Sequence, residues 1–542
     1  MARLIFLSLL ALGCVKEATA SRQFPSLIKA TIDDINGRLN SRCFTSADLV
    51  RTYLQRITQV NRPLHCVTEV NPDAVSQAEY LDANKLNKTR TPLYGLPILL
   101  TNVIATKDKM NNTAGSYALL GAKNVRQAGV VTKLREAGAV ILGKTNLSQW
   151  GGFRARRSAH GWSAHGGQVS GAYIPLQDPG GGSSGSAVAV DMGLAFAALG
   201  VDSTGSILIP AGRNNIVGIR PTLGLTSRDQ IVPVSENFDV VGPMARTVRD
   251  AAHVLQVIAG PDENDHVTQS APTPIPDFVA ACDKTSLKGK RIGVPWNYIN
   301  AIITGPPLND ELWAFRRALN ELEDAGASII TASFAKPDAI KTWRNLVLTV
   351  DFTANMDSYL DGLEDSPTGV HSLAGLVNWT RDNAQEEEYP IHDTFFWDYC
   401  LFKQEDGYSQ GPKCKPYQDA LVEMKDLGGE SGILGVIERY NLDAVVMPTS
   451  VTDKCVPLTR GPAVTVPLSA YPNRAPLVRS KFGNLAEAGP KLPFGLTFAG
   501  KPWSEAELLG LASAYEKLSQ VRNMLPHNRL ISEPWAEMVS KC

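Results

Sequence analysis

Histidine is scarce, eight in 542 residues, and none falls in an H-E-x-x-H pattern. No pair of cysteines has C-x-x-C spacing. The ligand clusters of a catalytic or structural metal are therefore missing, and neither a metal nor a cofactor is implied. An excess of charge of one sign is lacking too. Lys and Arg number 53 against 54 Asp and Glu, a formal net charge of −1. No basic stripe interleaves with aromatics, which excludes nucleic acid and a membrane surface as expected partners. Beyond the first twenty residues no apolar run is long enough to cross a bilayer. Internal repeats and low-complexity linkers are also absent. Length alone permits two or three domains. The Pro-rich Ala271–Pro276 is the best linker candidate, yet a strand-like Lys290–Val294 follows soon after, so we read one large domain.

What is present begins with a leader. Residues 1–20 carry a positive start, the apolar core Leu4–Gly13 and the small residues Ala18-Thr-Ala20. That is the pattern of a secretory signal peptide, with the mature chain starting near Ser21. Without Cys14 the mature chain keeps Cys43, Cys66, Cys282, Cys400, Cys414, Cys455 and Cys542. In an oxidising compartment disulfides are the default, and an odd number leaves a thiol free or paired between chains. Cys400 and Cys414 are neighbours in sequence and the first expected bridge. Sequons lie at Asn87, Asn111, Asn146 and Asn378. Asn87 and Asn378 stand in polar surroundings that suit a glycan; Asn146, within the phrase Gly143–Asn146, and Asn111, beside the loop expected to face the site, are expected to stay unmodified.

The stretch Asp178–Val190 with Val201–Pro210 organises the chain. A Gly/Ser loop opens an apolar run, Ala187 to about Leu199, read as a helix. A second Gly/Ser loop then presents Ser206 before another apolar segment. Glycines let such loops turn several N–H groups toward one point. A serine hydroxyl beside those donors is the raw material of acyl transfer, a nucleophile with an oxyanion hole. Gly138–Thr145 matches the phosphate-loop pattern literally. Its four intervening residues form an apolar strand, so no phosphate cradle is expected.

The phrases Gly95–Leu100, Thr113–Ser116, Gly143–Asn146, Gly161–Ala164, Gln177–Pro179, Gly218–Thr222 and Val241–Val248 together resemble the amidase signature family. The likeness is greatest to its secreted fungal amidases. The resemblance implies a Ser–cis-Ser–Lys triad in which a lysine, through a serine on a cis peptide, activates the nucleophilic serine. Ser206 falls on the nucleophile, and Ser203, Thr204 and Gly205 on the oxyanion-hole N–H groups. The other two positions are changed. Thr101 stands on the lysine, and neither Lys107 nor Lys109 is in register to replace it. Gly182 stands on the bridging serine, with Ser183 one residue away as a substitute bridge. A serine without an adjacent base is a weak nucleophile, and proton transfer typically contributes ~10²–10⁴-fold. His165 and Asp202 are the other candidate bases.

The resemblance also implies the fold class: an α/β, amidase-signature fold with a mixed, mostly parallel central sheet flanked by helices on both faces. Local patterns agree with α/β alternation. Helices are expected at Ser46–Val60 (capped by Ser46), Gly129–Ala137 and Asn309–Ala325, and a capping box at Ser504–Glu507 opens the last long helix. Strands are expected at Ala139–Leu142, Ser328–Thr331, Leu442–Met447 and Ala463–Val466. One domain thus spans 21–542, with a signature core at 95–260 and an aromatic-rich helical cover at about 336–420. The expected function is action on a small amide- or acyl-containing molecule, in the manner of natural-product tailoring enzymes, with classical amide hydrolysis impaired. The alternative is a pseudoenzyme that keeps the cleft for binding. Oligomeric state is left open.

Overall fold

Two segments led by apolar runs, Pro97–Thr101 and Val140–Thr145, have every residue buried, Lys144 included. A strand apolar at successive positions must be covered on both faces, because neighbouring side chains point to opposite sides. In the computed structural model, which describes residues 26–84, 91–305, 308–343, 346–405 and 413–526, these strands lie in one eleven-stranded mixed sheet. Its strands in chain order are β1 (Val67–Val70), β2 (Pro97–Thr101), β3 (Val140–Thr145), β4 (Ala197–Asp202), β5 (Val217–Arg220) and β6 (Val240–Ala245). They continue as β7 (Arg291–Pro295), β8 (Ser328–Ala332), β9 (Ala444–Pro448), β10 (Ala463–Ala470) and β11 (Pro493–Ala499). The spatial order is β1-β3-β2-β4-β6-β5-β10-β11-β9-β7-β8. Pairing is parallel across β3-β2-β4 and again across β9-β7-β8, and antiparallel through the middle. Parallel character is therefore concentrated in two blocks.

Most expected elements appear within a residue or two. The first long helix occupies Ser46–Val60, but its cap is Thr45, whose hydroxyl accepts from the Asp48 N–H at 3.0 Å. The pattern Gly138–Thr145 is a turn followed by β3, as its apolar interior requires. Two readings change. The apolar run from Ala187 is a short helix, Ser184–Asp191, a turn, and then β4. Unbroken apolar sequence fits a buried helix or a buried strand equally well. Gly193 makes the break: its φ is +65°, and a Cβ there would sit 2.6 Å from the Leu27 carbonyl oxygen. At the last long helix, Glu505–Ser519, Ser504 holds the cap position without a capping box. Its hydroxyl donates to the Lys501 carbonyl at 2.7 Å, while Glu505 accepts from the Thr222 N–H and Glu507 pairs with Lys290.

The cover consists of the helices Pro337–Thr342, Leu346–Asp361, Leu373–Asp382, Phe395–Glu405 and Lys415–Gly428. Cys400 and Cys414 are both buried free thiols, which corrects the expected bridge. Cys400 faces Thr353 of the neighbouring helix instead. Cys43 is disulfide-bonded; the leader, Cys14, Cys542 and Asn87 lie outside the described residues. Asn378 is exposed on its helix, whereas Asn146 is fully buried and donates its amide to the His65 and Gly167 carbonyls.

Candidate active site

The loop after β4 is held by one carboxylate. Asp202 is fully buried and accepts from the Gly205 N–H at 2.8 Å and the Ile207 N–H at 2.7 Å. Arg220 on β5, itself 1% exposed, donates to the same carboxylate at 2.7 Å. This triangle leaves Asp202 no freedom to act as a base for Ser206. It also alters the expected oxyanion donors, because the Gly205 N–H is already taken. The N–H groups of Ser203, Thr204 and Ser206 have no partner among the described residues. The Ser203 hydroxyl donates to Asp239 at 2.5 Å, anchoring the loop's other end. Burial raises the Asp239 carboxyl against the pull of that hydroxyl and two backbone N–H groups.

Ser206, Gly182, Ser183, Ser203 and Thr101 line one pocket, with about 30 Å³ of free cavity volume. That is room for about one water or one carbonyl group. A Cβ built on Gly182 would lie 2.5 Å from Ser206 Oγ and 2.7 Å from Ser206 Cβ. Position 182 thus faces Ser206 directly, and a side chain there would need space that Ser206 occupies. The peptide bonds on either side of Gly182 are trans. Ser183 turns elsewhere: its hydroxyl donates to the Val201 carbonyl and accepts from the Val201 N–H, both at 3.1 Å. The structure therefore joins Ser183 to Ser206 through backbone alone, N–H to carbonyl at 3.0 Å. Thr101 Oγ1, at the end of β2, is buried with no hydrogen-bond partner. Ser206 Oγ likewise has none among the described residues.

His165 lies outside this pocket, its ring edge-on to Tyr117 at 5.3 Å between centroids. Burial lowers its pKa, which keeps the ring neutral, but Nδ1 has no partner. Lys144 is paired in register with Leu100, one residue from the Thr101–Thr145 pair. Alternation along the strand then sends its side chain to the opposite face of the sheet from Thr101. There the ammonium donates to the Ile104 carbonyl. Burial pushes its pKa down to about 7, with Asp108 and Glu69 opposing.

The pocket walls were not singled out by sequence. Trp150 forms one of them in a left-handed backbone conformation, φ 53°, that costs a bulky residue energy. The glycine pair Gly151-Gly152 after it was the available signal of a sharp turn. Trp397 of the cover packs edge-on against Trp150 with centroids 5.7 Å apart. Val232, Pro233 and Val234 close the other side. The cover thus reaches the pocket through Trp150.

The Amidase family model matches residues 48–509. The chain belongs to the amidase family. A fungal relative from Arthroderma benhamiae, named "Putative amidase", is 44% identical, covering 92% of this chain and 87% of the relative. Among solved structures, the native peptide amidase from Stenotrophomonas maltophilia is 33% identical with a TM-score of 0.81, covering 92% and 99% of the two chains. An amidase family protein from Bacillus anthracis superposes with a TM-score of 0.80 at 26% identity, covering 92% and 93%. The mixed central sheet packed by helices is thus the fold of this family, as the signature phrases led us to expect.

Proposed function

We propose that this amidase-family chain holds a small amide- or acyl-containing compound at the Ser206 loop and hydrolyses amides poorly. One observation carries the reading: Ser206 Oγ has no hydrogen-bonded base among the described residues. Thr101 cannot titrate in the useful range, Gly182 bears no hydroxyl, and Ser183, His165 and Asp202 are turned to other partners or lie elsewhere. The unpaired N–H groups of Ser203, Thr204 and Ser206 supply donors for a carbonyl oxygen. Amide chemistry as the substrate class follows from the family and from relatives named amidases. Thr101 and Gly182 also support a second reading, a pseudoenzyme that keeps the cleft for binding without turnover. The leader sequence and the disulfide at Cys43 support a secretory route, and likeness to the secreted fungal branch suggests natural-product tailoring as the setting.

The test is intact mass after exposure to a serine-reactive fluorophosphonate. Wild type should remain unmodified, while Thr101→Lys with Gly182→Ser should gain one adduct and measurable amide hydrolysis. A wild-type adduct that Ser206→Ala removes would sink the proposal, because it would demonstrate an activated serine. A folded double variant with neither adduct nor activity would mean the altered positions are not what limits Ser206.

A further inference from the structure

On the C-terminal side of the Ser206 turn lies a second cavity of about 300 Å³, which shares no lining residue with the Ser206 pocket. The helix Leu208–Arg213 separates the two, Ser206 preceding its first turn and Ile209, Gly212 and Arg213 lining the second cavity. The opposite wall holds Glu311, in the first turn of the helix Leu308–Asp324 and only 1% exposed. Ser450 Oγ donates to Glu311 Oε1 at 2.8 Å. Among the described residues no Lys, Arg or His forms an ion pair with this carboxylate. A buried carboxylate without a cation is expensive, and burial pushes Glu311 up to about 7 against the pull of Ser450 and Arg213.

Arg213 lines the same cavity, but its charge is already matched. It pairs with Asp178 at 3.1 Å, and His160 Nδ1 meets the same carboxylate at 3.0 Å. Burial would raise Asp178, yet Arg213 and His160 together hold it at about 2. The balance left to the cavity is therefore acidic, with exposed Glu487 adding a second carboxylate at the lining. Apart from Thr449 and His160, the remaining surface is apolar and aromatic. Tyr471 and Phe494 meet edge to face with centroids 4.9 Å apart, and Ile209, Leu308 and Val478 lie with them. Carboxylate and aromatic rings around one small space are the elements of ammonium recognition.

We propose that this cavity binds a small organic cation, a primary ammonium bearing a short apolar or aromatic group. The nitrogen donates to Glu311 and the carbon skeleton packs against Tyr471 and Phe494. The site is separate from the amide- or acyl-binding reading of the Ser206 pocket and stands whether or not that reading does.

The experiment is calorimetric titration of the full chain with benzylamine hydrochloride, benzyl alcohol and sodium benzoate at one pH and ionic strength. Benzylammonium should bind measurably and at least about tenfold tighter than either isostere, because only the cation matches the buried carboxylate. Glu311→Gln, which retains an acceptor for Ser450, should weaken benzylammonium at least about tenfold, with folding checked by circular dichroism. Ser206→Ala should leave that affinity unchanged. Binding of benzoate in preference, equal binding of alcohol and amine, or no binding of the amine to wild type would overturn the proposal. So would undiminished affinity in folded Glu311→Gln, or loss of amine binding in Ser206→Ala. The comparison among the three probes uses wild type alone, so it decides the matter even if the variant does not fold.

Discussion

At the residue scale, the glycine at position 182 has a geometric consequence. Ser206 occupies space that a Cβ at 182 would need, and rotating its hydroxyl does not relieve the 2.7 Å approach to Ser206 Cβ. Overfilling a packed site of this kind typically costs ~1–3 kcal/mol. Gly182→Ala should lower unfolding free energy by that amount in a denaturant titration; an unchanged midpoint would show that the loop yields freely. Thr101 makes the opposite case. Its hydroxyl is buried without a partner, and such a group is a net burden on the fold. Thr101→Val, nearly the same shape, should therefore be neutral or stabilise by about 1 kcal/mol. A clear loss of stability would reveal a partner for that hydroxyl.

At the scale of elements, the Ser206 loop depends on Asp202 and Arg220 as a unit. Removing one member of a buried ion pair strands the other and typically costs ~3–5 kcal/mol. Asp202→Ala should fall in that range by equilibrium unfolding and should free the loop's N–H groups to solvent exchange, read at Gly205 and Ile207. Loss below about 1 kcal/mol would mean the loop is held by packing instead. The cover is fastened by a comparable cluster. Glu387, fully buried, accepts from Ser116 Oγ at 2.6 Å, Gln149 Nε2 at 2.7 Å and Arg154 Nη1 at 2.7 Å. Three of those four residues belong to the signature core and its flanking turns, so the cover is bonded to the elements that carry Trp150. Its aromatics divide accordingly. Trp397 is fully buried, while Phe402 is 56% exposed on the same helix.

At the scale of the molecule, two buried ionisable groups give opposite slopes of stability with pH. Glu311 has a folded pKa of about 7 against an ordinary 4.5, so the folded state holds the extra proton between those values. Stability from this group is greatest below about pH 4.5 and falls by up to about 3 kcal/mol as pH rises to 7. Lys144 runs the other way: about 7 folded against an ordinary 10.5 means the unfolded chain binds the extra proton. Its contribution is lowest below pH 7 and rises as pH climbs toward 10.5. The sum of these two contributions is lowest near pH 7. Glu311→Gln should flatten the acidic limb of unfolding free energy against pH, and Lys144→Met the alkaline limb, with the larger gain in stability below pH 7. Parallel curves for wild type and both variants would show that neither group titrates as its burial implies.

The sequence by itself determined the family and the α/β alternation. Those depend on local matters: apolar runs that must be strands or helices, and motifs kept in order along the chain. Thus Ser46–Val60 and the strand following Gly138 were legible as they stand. Tertiary structure decided what local pattern leaves ambiguous. It split the apolar run from Ala187 into helix and strand at Gly193, and it drew Glu505 away to Thr222. It also turned Ser183 toward Val201, gave the Gly205 N–H to Asp202, and placed Lys144 on the face of the sheet away from Thr101. Each of these is set by which distant backbone or side chain comes within hydrogen-bond reach once the sheet closes. Residues such as Glu311, with no motif around them, acquire meaning only there, because burial without an ion pair among the described residues belongs to the fold and not to the string of residues.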